Sequence, residues 1–199
     1  VIREPKYLSL KTQLRKDLLS KLSAFPSQYV SFNFTLQQLS YAGAAQDVHQ
    51  TLSSIVDYPG REIVIEISEK AMTSRRNRED LKAEVIALQG YGYKIALDDF
   101  GVESSNLKRM QEFPISILKI DKALIQDIDT SEVQRATLRG LELITQSLGI
   151  KVIVEGIESI DQAHYLYQMG FYSHQGYLHA RPMPPEDVEA NLSAIGFAI

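Results

Sequence analysis

The apolar and polar positions of this chain alternate between a helical period and strand-like runs. In residues 8–24, Leu10, Leu14, Leu18 and Leu22 recur four apart, which predicts a helix with a single apolar stripe. Pro26 and Ser27 interrupt that pattern. "YVSFNF" (29–34) is aromatic and β-branched and predicts a strand. A helix is expected over 44–57, a turn at "YPG" (58–60) and a strand at "EIVIEI" (62–67). The helix predicted over 77–92 stops at glycine. It is followed by the strand "YKIALDD" (93–99), a short helix near 104–112 and the strand "SILKI" (116–120). Ser131 is placed to cap a helix over 131–149. The strand "KVIVEG" (151–156), a helix over 159–170 and "FYSHQGY" (171–177), a short strand or loop, come next. A last helix is expected near 185–194.

Strand and helix alternate without a linker, repeat or low-complexity tract, so residues 1–199 read as one domain. Alternation at this spacing builds β-α units and a parallel sheet. "EIVIEI", "YKIAL" and "KVIV" are apolar on both faces, as buried parallel strands require. Two closures remain: an open doubly wound sheet and a (β/α)8 barrel. No Gly-x-Gly-x-x-Gly follows any strand, which removes the usual support for dinucleotide binding.

Composition narrows the classes. Hydrophobic residues make up 44% and charged residues 23%, an ordinary globular balance for 199 residues. A net charge of -4 disfavours a DNA or RNA polymer or an anionic membrane as the main partner, though not a small anion in a pocket. Without cysteine there is no disulfide and no thiolate metal site. No uncharged apolar run reaches the roughly 18 residues of a membrane span, and "VIREPKYLSL" lacks a signal-peptide core. A cytoplasmic protein is the simplest expectation.

The polar residues at the strand ends favour the barrel. Asn33, Glu66, the pair Asp98–Asp99, Lys119 and Glu155 stand at or near the ends of five successive strands, and Gln175 lies in the sixth segment. A parallel barrel opens all of these ends onto one face, where its active site sits. Oxygen ligands without Cys or His suit Mg²⁺, Mn²⁺ or Ca²⁺ rather than zinc. The residues alone leave a second reading open, in which Asp99 caps a helix near Ser104, Lys119 pairs at a barrel end, and Asn33, Glu155 and Gln175 serve turns or backbone groups. His49, His164, His174 and His179 show no metal spacing, and no serine nucleophile elbow is present. "SRRNR" (74–78) reads as a solvated helix start, and the tyrosines near 165–177 as core.

Six motifs in order, "FNFT" (32–35), "IEISE" (65–69), "ALDDFG" (96–101), "LKID" (118–121), "VEGIE" (154–158) and "QGYLHARPM" (175–183), resemble those of the EAL domains, bacterial cyclic di-GMP phosphodiesterases. The resemblance spans about residues 8–195. It implies a TIM-barrel-like (β/α)8 EAL fold and metal-dependent hydrolysis of cyclic di-GMP to linear pGpG. Asn33, Glu66, Asp98, Asp99 and Glu155 would hold two Mg²⁺ or Mn²⁺ ions. Lys119 would orient or activate the attacking water, near Glu155. Glu69, Glu158 and Gln175 would support substrate or loop. A homodimer and linkage to sensory or diguanylate-cyclase domains are further habits of the family.

Two departures from the pattern stand out. The Glu-Ala-Leu tripeptide is absent from these 199 residues, and the six predicted strands fall short of a closed barrel's eight, so the expected fold is incomplete at its N-terminus. The loop after "DDFG" carries Val102 and Glu103 in place of a threonine and a glycine of the family pattern, losing a hydroxyl and adding a negative charge. A degenerate module that binds cyclic di-GMP or a protein partner without catalysis is therefore the alternative expectation.

Overall fold

The computed structural model describes residues 29–53, 62–68, 78–102, 107–184 and 187. Five parallel strands form one sheet in the order of the chain: β1 (Tyr29–Phe34), β2 (Glu62–Ser68), β3 (Lys94–Phe100), β4 (Ile117–Ile120) and β5 (Lys151–Val154). Around them run α1 (Leu36–Leu39), α2 (Ala44–Ser53), α3 (Arg78–Gly90), α4 (Lys108–Glu112), α5 (Glu132–Leu148) and α6 (Ile160–Gln168). A 3-10 turn spans Lys122–Leu124. Strand order decides between the two closures. A doubly wound sheet reverses its order at a switch point, whereas this one never does. The fold is parallel α/β and TIM-barrel-like.

The apolar runs explain the layering. Val64 to Ile67 of β2 are buried on both faces of the sheet. The outer face carries the main core, in which Leu39, Leu52, Ile65, Ile67, Leu81, Leu88, Ile95, Leu97, Leu118 and Ile120 are sealed beneath the helices. Burial of each such side chain favours folding by about 1.5–3 kcal/mol. On the inner face a smaller cluster, Val64, Ala96 and Ile117 with Ile153 against it, lines the bore. Helix ends are tied locally. Ser131 Oγ accepts a hydrogen bond from Gln134 N at 3.3 Å, as expected for the cap of α5. Glu84 of α3 accepts from Gly43 N at 2.9 Å and Ala45 N at 2.7 Å, which fastens the start of α2 to α3.

Several expectations shift. The sixth segment is reduced to an isolated parallel bridge between Val154 and His174. The short helix is confined to α4, and residues 103–106 lie outside the described residues. The helix expected over 8–24, the turn at 58–60, residues 74–77 of the basic run and nearly all of 185–194 lie outside them as well. The tyrosines near 165–177 are not core: Tyr167, Tyr172 and Tyr177 are exposed, and among them only Tyr165 packs on the main cluster. Helix α6, which carries Tyr165 and Tyr167, is buried through Leu166 instead. No helix among the described residues is long and apolar enough to cross a membrane.

Candidate metal centre

Because the five strands are parallel, their C-terminal ends open onto one rim. Alternation along each strand then selects which side chains face the bore. Asn33 shares the face of Tyr29 and Ser31, and it stands in register with Glu66. Glu66 pairs with Ala96, and Asp98 lies two residues beyond Ala96. Lys119 pairs with Ile153, and Glu155 lies two residues beyond Ile153. Glu66, Asp98, Lys119 and Glu155 thus each stand one layer above an apolar bore residue, and Asn33 stands above Ser31.

Adjacent carboxylates should point to opposite faces of a regular strand. A bulge resolves this for Asp98 and Asp99. Leu97 pairs with Leu118 and Phe100 with Ile120, so three steps on β3 span two on β4. Asp99 takes up the extra residue with φ 59, the left-handed region that aspartate tolerates better than most side chains. Phe100 returns to the outer core, and Gly101, at φ 111, carries the chain away where a Cβ would strike Leu124. The bulge leaves both carboxylates available at the rim.

Lys119 is the hub. It is only 4% exposed, yet its Nζ lies 2.8 Å from Glu155 Oε1, 2.9 Å from Asp98 Oδ1 and 3.0 Å from Glu66 Oε2. The approach to Asp98 is a charge contact off the hydrogen-bonding direction, since Asp98 Oδ1 accepts no aligned hydrogen bond among the described residues. Burial works against the ammonium, but its pairing with Glu155, Asp98 and Glu66, the last a hydrogen bond, outweighs it and pushes the Lys119 pKa well up. Burial likewise pushes Glu155 up; Lys119 pulls it down, and Asp98 and Glu66 push it up again. Asp99 is pushed up by burial, then by Asp98 and Asp121. These directions agree physically: one ammonium faces more negative charge than it can neutralise. Lys119 is therefore held charged, while the surplus carboxylates are biased toward protonation.

Ligating oxygens of Asp98, Asp99 and Glu155 all lie within 4.8 Å of one another. An all-oxygen set carrying surplus negative charge and an oxygen with no aligned donor fits hard divalent cations. The described residues thus bring Glu66, Asp98, Asp99, Lys119 and Glu155 together, with Asn33 beside Glu66 in register. Gln175 lines the bore next to β5; its N–H donates to Val154 O at 2.8 Å, and its carbonyl accepts from Ile157 N at 3.1 Å. Glu158 stands apart, in a groove with Lys122, Gly156 and Gln162. Glu69 lies outside the described residues. Asp121 was not among the expected ligands, although it acts on Asp99 and accepts a hydrogen bond from Ala123 N at 2.8 Å. Its place two residues after Lys119, hence on the same face, was the available signal. His174 also lines the bore, its Nε2–H donating to Phe171 O at 2.9 Å.

Comparison with known proteins places this geometry in a family. The EAL domain family matches residues 6–182. Over 159 residues the chain is 33% identical to the cyclic di-GMP phosphodiesterase RocR of Pseudomonas aeruginosa, covering 79% of this chain and 39% of RocR. Among solved structures, the EAL enzyme Bd1971 in its cGMP-bound form superposes with a TM-score of 0.82 at 22% identity, over 96% of this chain and 53% of that one. BlrP1 of Klebsiella pneumoniae, solved as a manganese/cy-diGMP complex, gives a TM-score of 0.77 at 23% identity, over 91% of this chain and 46% of that one. At such identities the structural likeness is one of fold. With its motifs in order and the family matched across most of its length, the chain belongs to the EAL domain family.

Proposed function

We propose that the chain hydrolyses cyclic di-GMP to linear pGpG in a metal-dependent reaction. The observation that carries this reading is the convergence of Asp98, Asp99 and Glu155 within 4.8 Å of one another, Asp98 and Glu155 also pairing with Lys119, in a chain of this family. Asn33, Glu66, Asp98, Asp99 and Glu155 would hold two ions, Mg²⁺ or Mn²⁺. When bound, such cations polarise the phosphodiester and make water more acidic. An ammonium at Lys119 offers hydrogen-bond donors and no acceptor. The part of Lys119 is to hold Glu66 by a hydrogen bond, pair with Glu155 and orient the attacking water. Glu155, 2.8 Å from Lys119 Nζ and beside the cation site, would receive that water's proton. Water then displaces one ribose oxygen from phosphorus, and the leaving oxygen takes up a proton. Gln175 borders the site from the sixth segment.

Incubation with cyclic di-GMP and Mn²⁺, followed by chromatography, tests the reading. Product pGpG that disappears in Asp98→Ala supports it. The exposed Val102 and the Glu103 beside it favour a second reading, a module that binds the nucleotide without turnover. Tight binding with no product would select that alternative. Absence of both binding and product would remove both.

A further inference from the structure

The Asp98–Asp99 pair and Glu155 come from strands that are not neighbours, since β4 lies between β3 and β5. Something must therefore hold the two sides at the spacing the cations require. The 3-10 turn Lys122–Leu124, which leaves β4, sits between them. Two main-chain hydrogen bonds lace its base to both sides: Asp121 N donates to Phe100 O at 3.0 Å, and Glu155 N donates to Ile120 O at 2.9 Å. Two glycines then admit its side chains. Leu124 lies so close to Gly101 that a Cβ there would collide with it, and Lys122 packs in the same way on Gly156. Gly101 follows Asp99 by two residues, and Gly156 follows Glu155 directly. From behind, Gln134 of α5 braces the turn: its Nε2 donates to Ala123 O at 3.4 Å and its Oε1 accepts from Asp127 N at 3.0 Å. Asp121 closes the turn from within by accepting from Ala123 N.

The backbone of the bulge is held close by. Asp99 takes the left-handed conformation, φ 59, at the bulge, and Gly101 follows it at φ 111. The contact of Leu124 with Gly101 is the packing next to Asp99. We propose that Leu124 is a positioning residue for the cation site. Its side chain, wedged against Gly101, keeps the bulged Asp98–Asp99 pair at the distance from Glu155 that joint ligation needs. This inference rests on the cation-site reading above and goes further by naming the group that sets the site's geometry.

Calorimetric titration of the full chain with Mn²⁺ alone, without nucleotide, tests it. Leu124→Ala is expected to weaken Mn²⁺ binding on the order of tenfold, the size typical of losing support behind a ligand. Leu124→Met, which keeps the volume, is expected to restore the wild-type affinity. Leu52→Ala, buried in α2 on the helical side of the core, serves as the control: it should lower the melting temperature and leave Mn²⁺ affinity unchanged. Should Leu124→Ala fail to fold, Leu124→Val reads the same loss in smaller measure. Equal affinities in wild type and the Leu124 variants, or an equal loss in Leu52→Ala, would overturn the positioning role alone. A wild type that takes up no Mn²⁺ would overturn the cation site, and this role with it.

Discussion

Replacing Lys119 by methionine isolates the electrostatics of the cluster, because the apolar stem is kept and only the ammonium is lost. The Nζ stands 2.8–3.0 Å from three carboxylates, with Lys119 and Glu66 buried and Asp98 and Glu155 half-buried. Removing one partner of a buried ion pair costs about 3–5 kcal/mol, because the remaining charge is left uncompensated. Glu155 is already biased toward protonation and can relieve part of that charge, so the lower end, about 3 kcal/mol, is expected for the metal-free protein. For a chain of this size, about 1 kcal/mol corresponds to roughly 2–4 °C, so Lys119→Met should melt about 6–12 °C below wild type in EDTA. Divalent cations supply the missing positive charge. In saturating Mn²⁺ the difference should therefore shrink to about 1 kcal/mol or less, as ligand linkage requires when the variant gains more from binding than wild type does. Thermal melts of both proteins in EDTA and in Mn²⁺ measure this directly. A melting-temperature loss that is the same in both buffers, or negligible in EDTA, would show that Lys119 does not neutralise a cation site.

Three other substitutions probe separate features. Asp99→Asn keeps a side chain that tolerates φ 59 and removes the repulsion from Asp98 and Asp121, so the metal-free protein should gain about 0.5–1 kcal/mol in urea titrations while Mn²⁺ uptake falls; a loss of stability, or unchanged uptake, would contradict the bulge argument. Gly176→Ala would drive a Cβ into the main-chain N and O of Ile157, a collision no rotamer relieves, and should cost about 1–3 kcal/mol in the same assay. The Tyr41 hydroxyl is pushed from 10 up to about 12 by burial and then by its 2.8 Å hydrogen bond to Asp47. Its contribution is complete below pH 10 and is lost as pH rises through about 12, so wild type should lose stability more steeply than Tyr41→Phe across that window; parallel pH curves would refute it.

Some of this architecture is legible in the chain itself. Nearly continuous apolar runs mark the strands of a parallel sheet, so "EIVIEI", "YKIAL", "SILKI" and "KVIV" announce β2 to β5 before any coordinates, although only Val154 of β5 is fully buried. Ser131 announces the start of α5, because its cap bonds to a neighbour three residues away. The polar residues at successive strand ends, and the order of six motifs, mark the rim and the family. Tertiary structure decided the rest. Chain-ordered pairing of five strands, and not their apolar content, distinguishes a barrel from a doubly wound sheet. The bulge that turns Asp98 and Asp99 to one rim is set by pairing against β4, and no local pattern encodes it. Lys119 became a hub only when brought against Glu66, 53 residues away, and against Asp98 and Glu155. Tyr167 looks like a core residue in the sequence but stands in solvent, because Leu166 takes the inward position of α6; Tyr172, beyond that helix, is exposed as well. Local periodicity dictates backbone dihedrals and which face a side chain occupies. Which faces then meet, and at what distance, is settled by long-range packing that no short window of sequence contains.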